Sequence, residues 1–209
     1  MFMRVTRLTP AGPIDEALIA QAGERLAAAY GHIPGYLGYS VMLDRADNEA
    51  NVVTYWTDAE SMLASEEASN VIRERLTSEG NQMRSVRQME LVIQDSVTPA
   101  RSGSFARISH LSVSPERLDE LITETKEVGV PAVKGAPGFQ AFLVTANRQT
   151  GEVAVSSVWE SAEAREASKQ PMSAQRQHTM EHVGATFEGV DNYEIVAVDV
   201  RLPAPAAPS

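Results

Sequence analysis

The chain repeats itself. Shifted by 103 positions, residues 34–65 ("PGYLGYSV…") align with residues 137–168 ("PGFQAFLV…") without a gap, and eleven of the thirty-two positions are identical. The identities include Pro34/Pro137, Gly35/Gly138, Val41/Val144, Arg45/Arg148, Glu49/Glu152 and Trp56/Trp159, and aromatic character persists at Tyr36/Phe139 and Tyr39/Phe142. At the same offset "VTRL" from Val5 meets "ISHL" from Ile108, while "MELVIQD" matches "YEIVAVD" with one residue inserted. A repeat of this span restricts the chain to two copies of one supersecondary unit, each needing somewhere to bury its apolar face.

The second copy shows the order of elements more clearly. "SFARISHLSV" is rich in strand formers and ends at Ser114, placed to cap a helix whose first residue is Pro115. Leu118, Leu121, Ile122 and Val128 follow at helical spacing, and Gly129 with Pro131 predicts the end of that helix. "GFQAFLVTA" and "EVAVSSVW" flank "NRQTG", a glycine-containing hairpin turn. Ser161 opens another helix, a further helical piece follows Pro171, and "NYEIVAVDV" closes the unit as a strand. The first copy repeats this order with a helix through Leu18 to Ala29 and a hairpin around "DRADNEA".

The predicted fold class is therefore α+β: two fused ferredoxin-like (βαββαβ) repeats. Each antiparallel sheet has one face covered by helices and one apolar face bare, more exposed surface than a soluble monomer tolerates. The second copy covers it, the sheets packing face to face as an intramolecular pseudo-dimer, a dimeric-type α+β barrel. Repeat one is placed at residues 1–95, a linker at 96–103, repeat two at 104–201 and a disordered Pro/Ala-rich tail at 202–209.

Composition removes several classes of function. A formal charge of −10 with scattered Lys and Arg argues against nucleic acid. No apolar run is long enough for a bilayer, and "MFMRVTRLTP" lacks a signal-peptide core, so a cytoplasmic protein with no membrane partner is expected. The absence of cysteine excludes disulfides, thiolate nucleophiles and Cys-ligated metal. No phosphate-binding glycine pattern, nucleophile elbow or metal-spaced carboxylate cluster occurs, and no metal is expected.

A βαββαβ unit with "PG-aromatic" before its second strand, a Trp closing the third and Ser/Ala/Glu opening the second helix resembles the antibiotic biosynthesis monooxygenase family of the dimeric α+β barrel superfamily. The resemblance covers nearly the whole chain, twice. It implies either a cofactor-independent monooxygenase of a small aromatic metabolite of the anthrone or quinol type, or a barrel that binds haem or another small ligand without catalysis. In the oxygenase branch the protein supplies a pocket, a base and polar groups for a developing oxyanion. His32, Tyr39 and Tyr55 are the catalytic candidates, and Thr6, Tyr36, Trp56, Ser109, Phe142, Trp159 and His178 are the candidates for substrate binding. With four of the five tyrosines, half one is expected to hold the active pocket.

The haem-degrading branch of the family uses an Asn on the first strand, a Trp in the second helix and a His about ten residues later. His178 falls on the His position, but Ser109 and Ser168 occupy the other two; half one has Thr6, Ser65 and Arg75. No cofactor is therefore expected, with haem as the alternative. The expected partner is a small aromatic or apolar ligand, and further homo-oligomerisation is left open.

Overall fold

In the computed structural model, described for residues 1–201, the element order is the βαββαβ unit twice over. Half one comprises β1 (Phe2–Thr9), α1 (Glu16–Tyr30), β2 (Tyr36–Asp44), β3 (Glu49–Trp56), α2 (Ala59–Ala64), α3 (Glu66–Ser78) and β4 (Gln82–Ser96). Half two comprises β5 (Ser104–Ser112), a 3₁₀ turn (Pro115–Arg117), α4 (Leu118–Glu124), a π turn (Thr125–Gly129), α5 (Val130–Lys134), β6 (Phe139–Ala146), β7 (Glu152–Trp159), α6 (Ala162–Ala167), α7 (Lys169–Val183) and β8 (Thr186–Val200). The tail expected at 202–209 lies outside the described residues.

The two sheets do more than pack face to face. Their edges also join, closing one antiparallel barrel in the order β1-β3-β2-β8-β5-β7-β6-β4. Closure depends on two long strands. β4 pairs with β1 through Gln82–Glu90 and then with β6 of the other half through Glu90–Ser96. β8 likewise pairs with β5 and then crosses to β2, where Gly38 to Leu43 face Val200 to Glu194. A closed barrel leaves no open sheet edge, the feature that otherwise invites aggregation.

The barrel interior is the shared core: Met3, Met42 and Val53 from half one pack with Ala106, Ile108, Ala141, Val158, Tyr193 and Ile195 from half two. Outside the barrel, each half's helices cover their own sheet in a separate apolar layer. The Pro-Gly step repeated in the sequence acquires a reason here. Gly35 and Gly138 both have positive φ (82° and 76°). A Cβ on Gly35 would lie 2.2 Å from Ser61 Oγ, and one on Gly138 would lie 2.7 Å from Ala164 Cβ. Only glycine lets the second strand start this close to the helix after the third.

Caps and breaks follow the sequence in part. Asp15, Asp58 and Ser161 each accept a hydrogen bond from the backbone N–H three residues on, satisfying a free helix-terminal donor. Ser114 does not cap; its hydroxyl turns to the Glu116 carboxylate, and a 3₁₀ turn opens the helix. Gly129 and Pro131 do not end the helix either. Its axis continues to Lys134 through the π turn, in which Val130 N–H reaches back five residues to the Thr125 carbonyl. An internal proline lacks an N–H and crowds the carbonyl four residues earlier. One extra residue in the turn moves that carbonyl aside, and Pro131 stands in the first turn of α5, where its missing donor costs nothing.

Candidate functional site

Between helices and sheet, both halves share a polar frame. The indole N–H of fully buried Trp56 donates to Thr54 Oγ1 at 3.0 Å, and Trp159, also fully buried, donates to Ser157 Oγ at 3.0 Å. Arg4 and Arg107, 2% and 4% exposed, occupy equivalent positions on β1 and β5. Each donates through Nη1 at 2.7 Å to the serine that ends the short helix, Ser65 or Ser168. Burial pushes both guanidinium pKa values down.

Half one fills the space above this frame. Leu26 and Tyr30 of α1 are buried. The Tyr30 hydroxyl donates to Ser69 Oγ at 3.0 Å, and Arg4 donates to the same oxygen. Tyr30, Tyr36 and Trp56 form an aromatic cluster with centroids 5.2–5.5 Å apart. The Tyr36 Oη is buried with no hydrogen-bond partner among the described residues, and burial raises its pKa. Tyr39 lays its hydroxyl against α1, where a Cβ on Gly23 would come within 2.1 Å of Oη. The Glu66 carboxylate receives Arg4 Nη2 at 2.7 Å and Arg73 Nη2 at 2.5 Å, so this half supplies the anion its two cations share.

Half two leaves a cleft at the same place. The offset of 103 turns Leu26 into Gly129, Tyr30 into Val133, Tyr39 into Phe142 and Ser69 into Met172, and all four replacements line the cleft. Leu111 and Val155 complete the apolar walls; Ser109, Thr125, Arg176 and Thr179 are the polar lining. The π turn contributes both Thr125 and Gly129, and α1 has no such turn. π turns recur at functional sites because they displace side chains that a regular helix would hold in line. Arg176 of α7 donates to Ser109 Oγ at 3.3 Å and lies over the Phe187 ring, 4.1 Å from its centroid. Burial lowers the Arg176 pKa. The cavity volume is about 50 Å³, so a ring-sized guest has to displace a side chain. Met172, unbranched and adaptable, is the lining residue best suited to move.

Of the sequence-derived candidates, the structure brings only Ser109 and Phe142 into this cleft. Thr6, Tyr36, Tyr39 and Trp56 belong to the filled region of half one, and Trp159 supports the floor of half two. Tyr55 turns into the barrel interior, where its hydroxyl pairs with Ser40 Oγ at 3.0 Å and burial raises its pKa. His32 is exposed in the turn after α1. His178 is 66% exposed, 3.6 Å from Glu124 and stacked on His182, and it does not line the cleft. The residues present therefore do not fit a haem. The tyrosines expected to form a pocket in half one pack against one another and with Trp56, and aromatic side chains packed in this way remove a cavity. A larger opening in half one, about 330 Å³, is lined by Pro10, Ile14, Leu43, Asp44, Arg45 and Asn48 and by none of those tyrosines. Sequence reasoning missed Arg107, Met172 and Arg176. Arg4 and Arg107 are identical at the repeat offset within otherwise strand-like segments, and that identity was the available signal.

A second ionic group lies at one end of the barrel interior. Asp191 Oδ2 accepts from Arg7 Nη1 at 3.1 Å and from the Tyr193 hydroxyl at 3.3 Å, and it lies 2.9 Å from His110 Nε2. Arg7 and His110 are repeat equivalents, so one carboxylate ties both halves together. The His110 hydrogen bond, with the charge of Arg7, lowers the Asp191 pKa.

The fold and cleft define a class: a fused α+β barrel with a small apolar cleft between the helices and sheet of one unit. The chain belongs to the antibiotic biosynthesis monooxygenase family, whose profile matches residues 1–71 and 104–181. Two uncharacterized proteins of Mycobacterium tuberculosis are relatives. One is 21% identical over 97% of this chain and 91% of its own length, the other 23% identical over 88% and 79%. Among solved structures, an anthrone oxidase-like protein superposes with a TM-score of 0.71 at 16% identity, covering 100% of this chain and 96% of its own. A heme-degrading enzyme of Listeria monocytogenes superposes with a TM-score of 0.54 at 12% identity, over 93% of this chain and 99% of its own. These likenesses establish the barrel. No helix among the described residues is long and apolar enough to cross a membrane.

Proposed function

We propose that the half-two cleft binds a small planar aromatic metabolite of the anthrone or quinol type and that the protein is a cofactor-independent monooxygenase. One observation carries this reading: Phe142, Val155, Val133 and Leu111 wall an apolar slot whose polar edge holds a guanidinium, Arg176, over the Ser109 hydroxyl. Few polar groups on an apolar wall orient a flat ligand. The positive field of Arg176 favours the substrate anion over its neutral form, so ionisation is assisted without a histidine or carboxylate in the lining; water takes the proton and returns one to the peroxide anion formed later. The carbanion gives an electron to O₂, and the two radicals join in a C–O bond. The resulting hydroperoxide loses water as its O–O bond breaks, converting CH₂ to C=O with one O₂ consumed. Ser109 and Thr125 are the neutral donors available to the developing oxyanion. This chemistry uses no metal or haem, in keeping with the exposed position of His178.

Gly129→Leu tests the site by installing the side chain that fills half one. A Cβ at position 129 would meet Thr125 Cγ2 at 3.4 Å, which is tolerable, and the rest of the leucine would project into the slot. Oxygen uptake with an anthrone above its autoxidation rate is expected for the wild-type chain and should fall at least about tenfold in Gly129→Leu, equivalent to roughly 1.4 kcal/mol. Equal uptake by the two proteins would remove the cleft from the reaction.

A further inference from the structure

We infer that the half-two cleft ends in a binding place for an external carboxylate, bridged between Arg107 and Arg176 as half one bridges the carboxylate of its own Glu66 between Arg4 and Arg73. The inference rests on the cleft being the ligand site and narrows its occupant to a carboxylated aromatic. The repeat offset converts Arg4, Glu66 and Arg73 into Arg107, Lys169 and Arg176. Both cations are kept; the anion between them is replaced by a cation. Lys169 itself is exposed and pairs outward with Glu166 at 3.3 Å.

The consequence is visible in the partners of each arginine. Arg4 donates to Ser65, Ser69, the Met62 carbonyl and Glu66. Arg107, equally buried, has the Ser168 hydroxyl at 2.7 Å, the Met172 thioether at 3.8 Å and a 3.8 Å approach to Glu166, a side chain 64% exposed. Arg176 has no carboxylate within ion-pair distance among the described residues. Arg165 lies close enough to oppose the charge of Arg107, and its Nη1 reaches the Tyr193 carbonyl at 3.5 Å. A guanidinium carries five N–H donors, and taking one out of water without an anion is costly. Three arginines gathered this way in a chain of charge −10 mark a place that an anion completes. A carboxylate matches the forked donor geometry of arginine better than a neutral group can.

Met172 governs access. It lines the cleft on one side and touches both Arg107 Nη1 and, at 3.5 Å, Ser157 Oγ on the other. A rotamer change of this flexible side chain joins the apolar slot to the guanidinium floor. An aromatic acid then places its ring between Phe142 and Val155 and its carboxylate where Glu66 lies in the other half.

Calorimetric titration of the full chain with 1-naphthoate and with the neutral 1-naphthalenemethanol tests this. The acid should bind at least about tenfold more tightly, and Arg107→Met or Arg176→Met should abolish that preference. Should either methionine variant fail to fold, Lys169→Glu, at an exposed position, gives the decisive reading. It restores the internal anion of half one and should weaken the acid by about tenfold while leaving the alcohol unchanged. Equal affinity for the two probes, or a preference for the acid that survives Lys169→Glu, overturns the carboxylate place and leaves the cleft reading intact. Binding of neither probe by the wild-type chain removes both.

Discussion

Position 129 is glycine where position 26 is leucine, and position 133 is valine where position 30 is tyrosine. The same β-sheet face, built on the same Trp and Arg–Ser frame, is thereby packed solid in one half and open in the other. In a homodimer of identical units both sites would change together. Fusion separates their fates, so one site can become core while the other keeps a cleft. Positions that hold strand to helix are free to change in neither half, and Trp56/Trp159, Gly35/Gly138 and Arg4/Arg107 are indeed identical. The positions that fill the space above the frame in half one, Leu26, Tyr30, Tyr39 and Ser69, are Gly129, Val133, Phe142 and Met172 in half two.

The broadest test is whether one half exists alone. Residues 1–95 expressed separately should not give a folded monomer, since the barrel core and the crossed ends of β4 and β8 are lost together. Sedimentation and thermal melting would show association or no cooperative transition. A monomer with a sharp melt would mean that the halves are independent domains. Next in size, Trp56→Ala and Trp159→Ala should each cost about 3–5 kcal/mol in chemical denaturation, in line with a large buried ring. Their costs should agree within about 1 kcal/mol, because each ring makes the same bond to its own strand. A clear inequality would show that the frame has diverged along with the pockets.

The smallest effect concerns the carboxylate that both halves share. The pKa of Asp191 is lowered in the folded state, so the stability it contributes is present above the ordinary carboxylate range and is lost as pH falls through the lowered value. Asp191→Asn should destabilise the protein by about 1–2 kcal/mol at neutral pH. The difference from wild type should shrink toward zero in acid. A difference that stays constant with pH would show that Asp191 acts through packing and not through its charge.

How far the sequence could be read follows from which features are local. The repeat, the hairpin and the Pro-Gly step are written in contiguous residues, and the βαββαβ order could be taken from them. The π turn was not legible, because Gly129 and Pro131 carry the composition of a helix end; only the contacts of the following segment keep the axis going. The pocket expected around the half-one tyrosines is filled for a related reason. Tyrosines mark a site by their chemistry, but whether they line a cavity depends on what stands opposite, and Tyr30, Tyr36 and Trp56 stand opposite one another. Ser168 was read against the family as a missing tryptophan, whereas its hydroxyl is the chief oxygen partner of Arg107.

The crossing of β4 and β8 also bears on how the chain is made. A ribosome delivers half one first, and at that stage the outer edge of β2 and the far end of β4 have nothing to pair with, because β8 and β6 are not yet synthesised. These are unpaired strand edges on a partly built sheet, the kind of surface that associates with other nascent chains. β8, whose partner strand β2 was made near the beginning, closes the barrel last. The final pairing thus spans almost the whole sequence, so closure should be slow compared with the folding of either helical layer. The period of greatest exposure for this protein is the interval between its two halves leaving the ribosome.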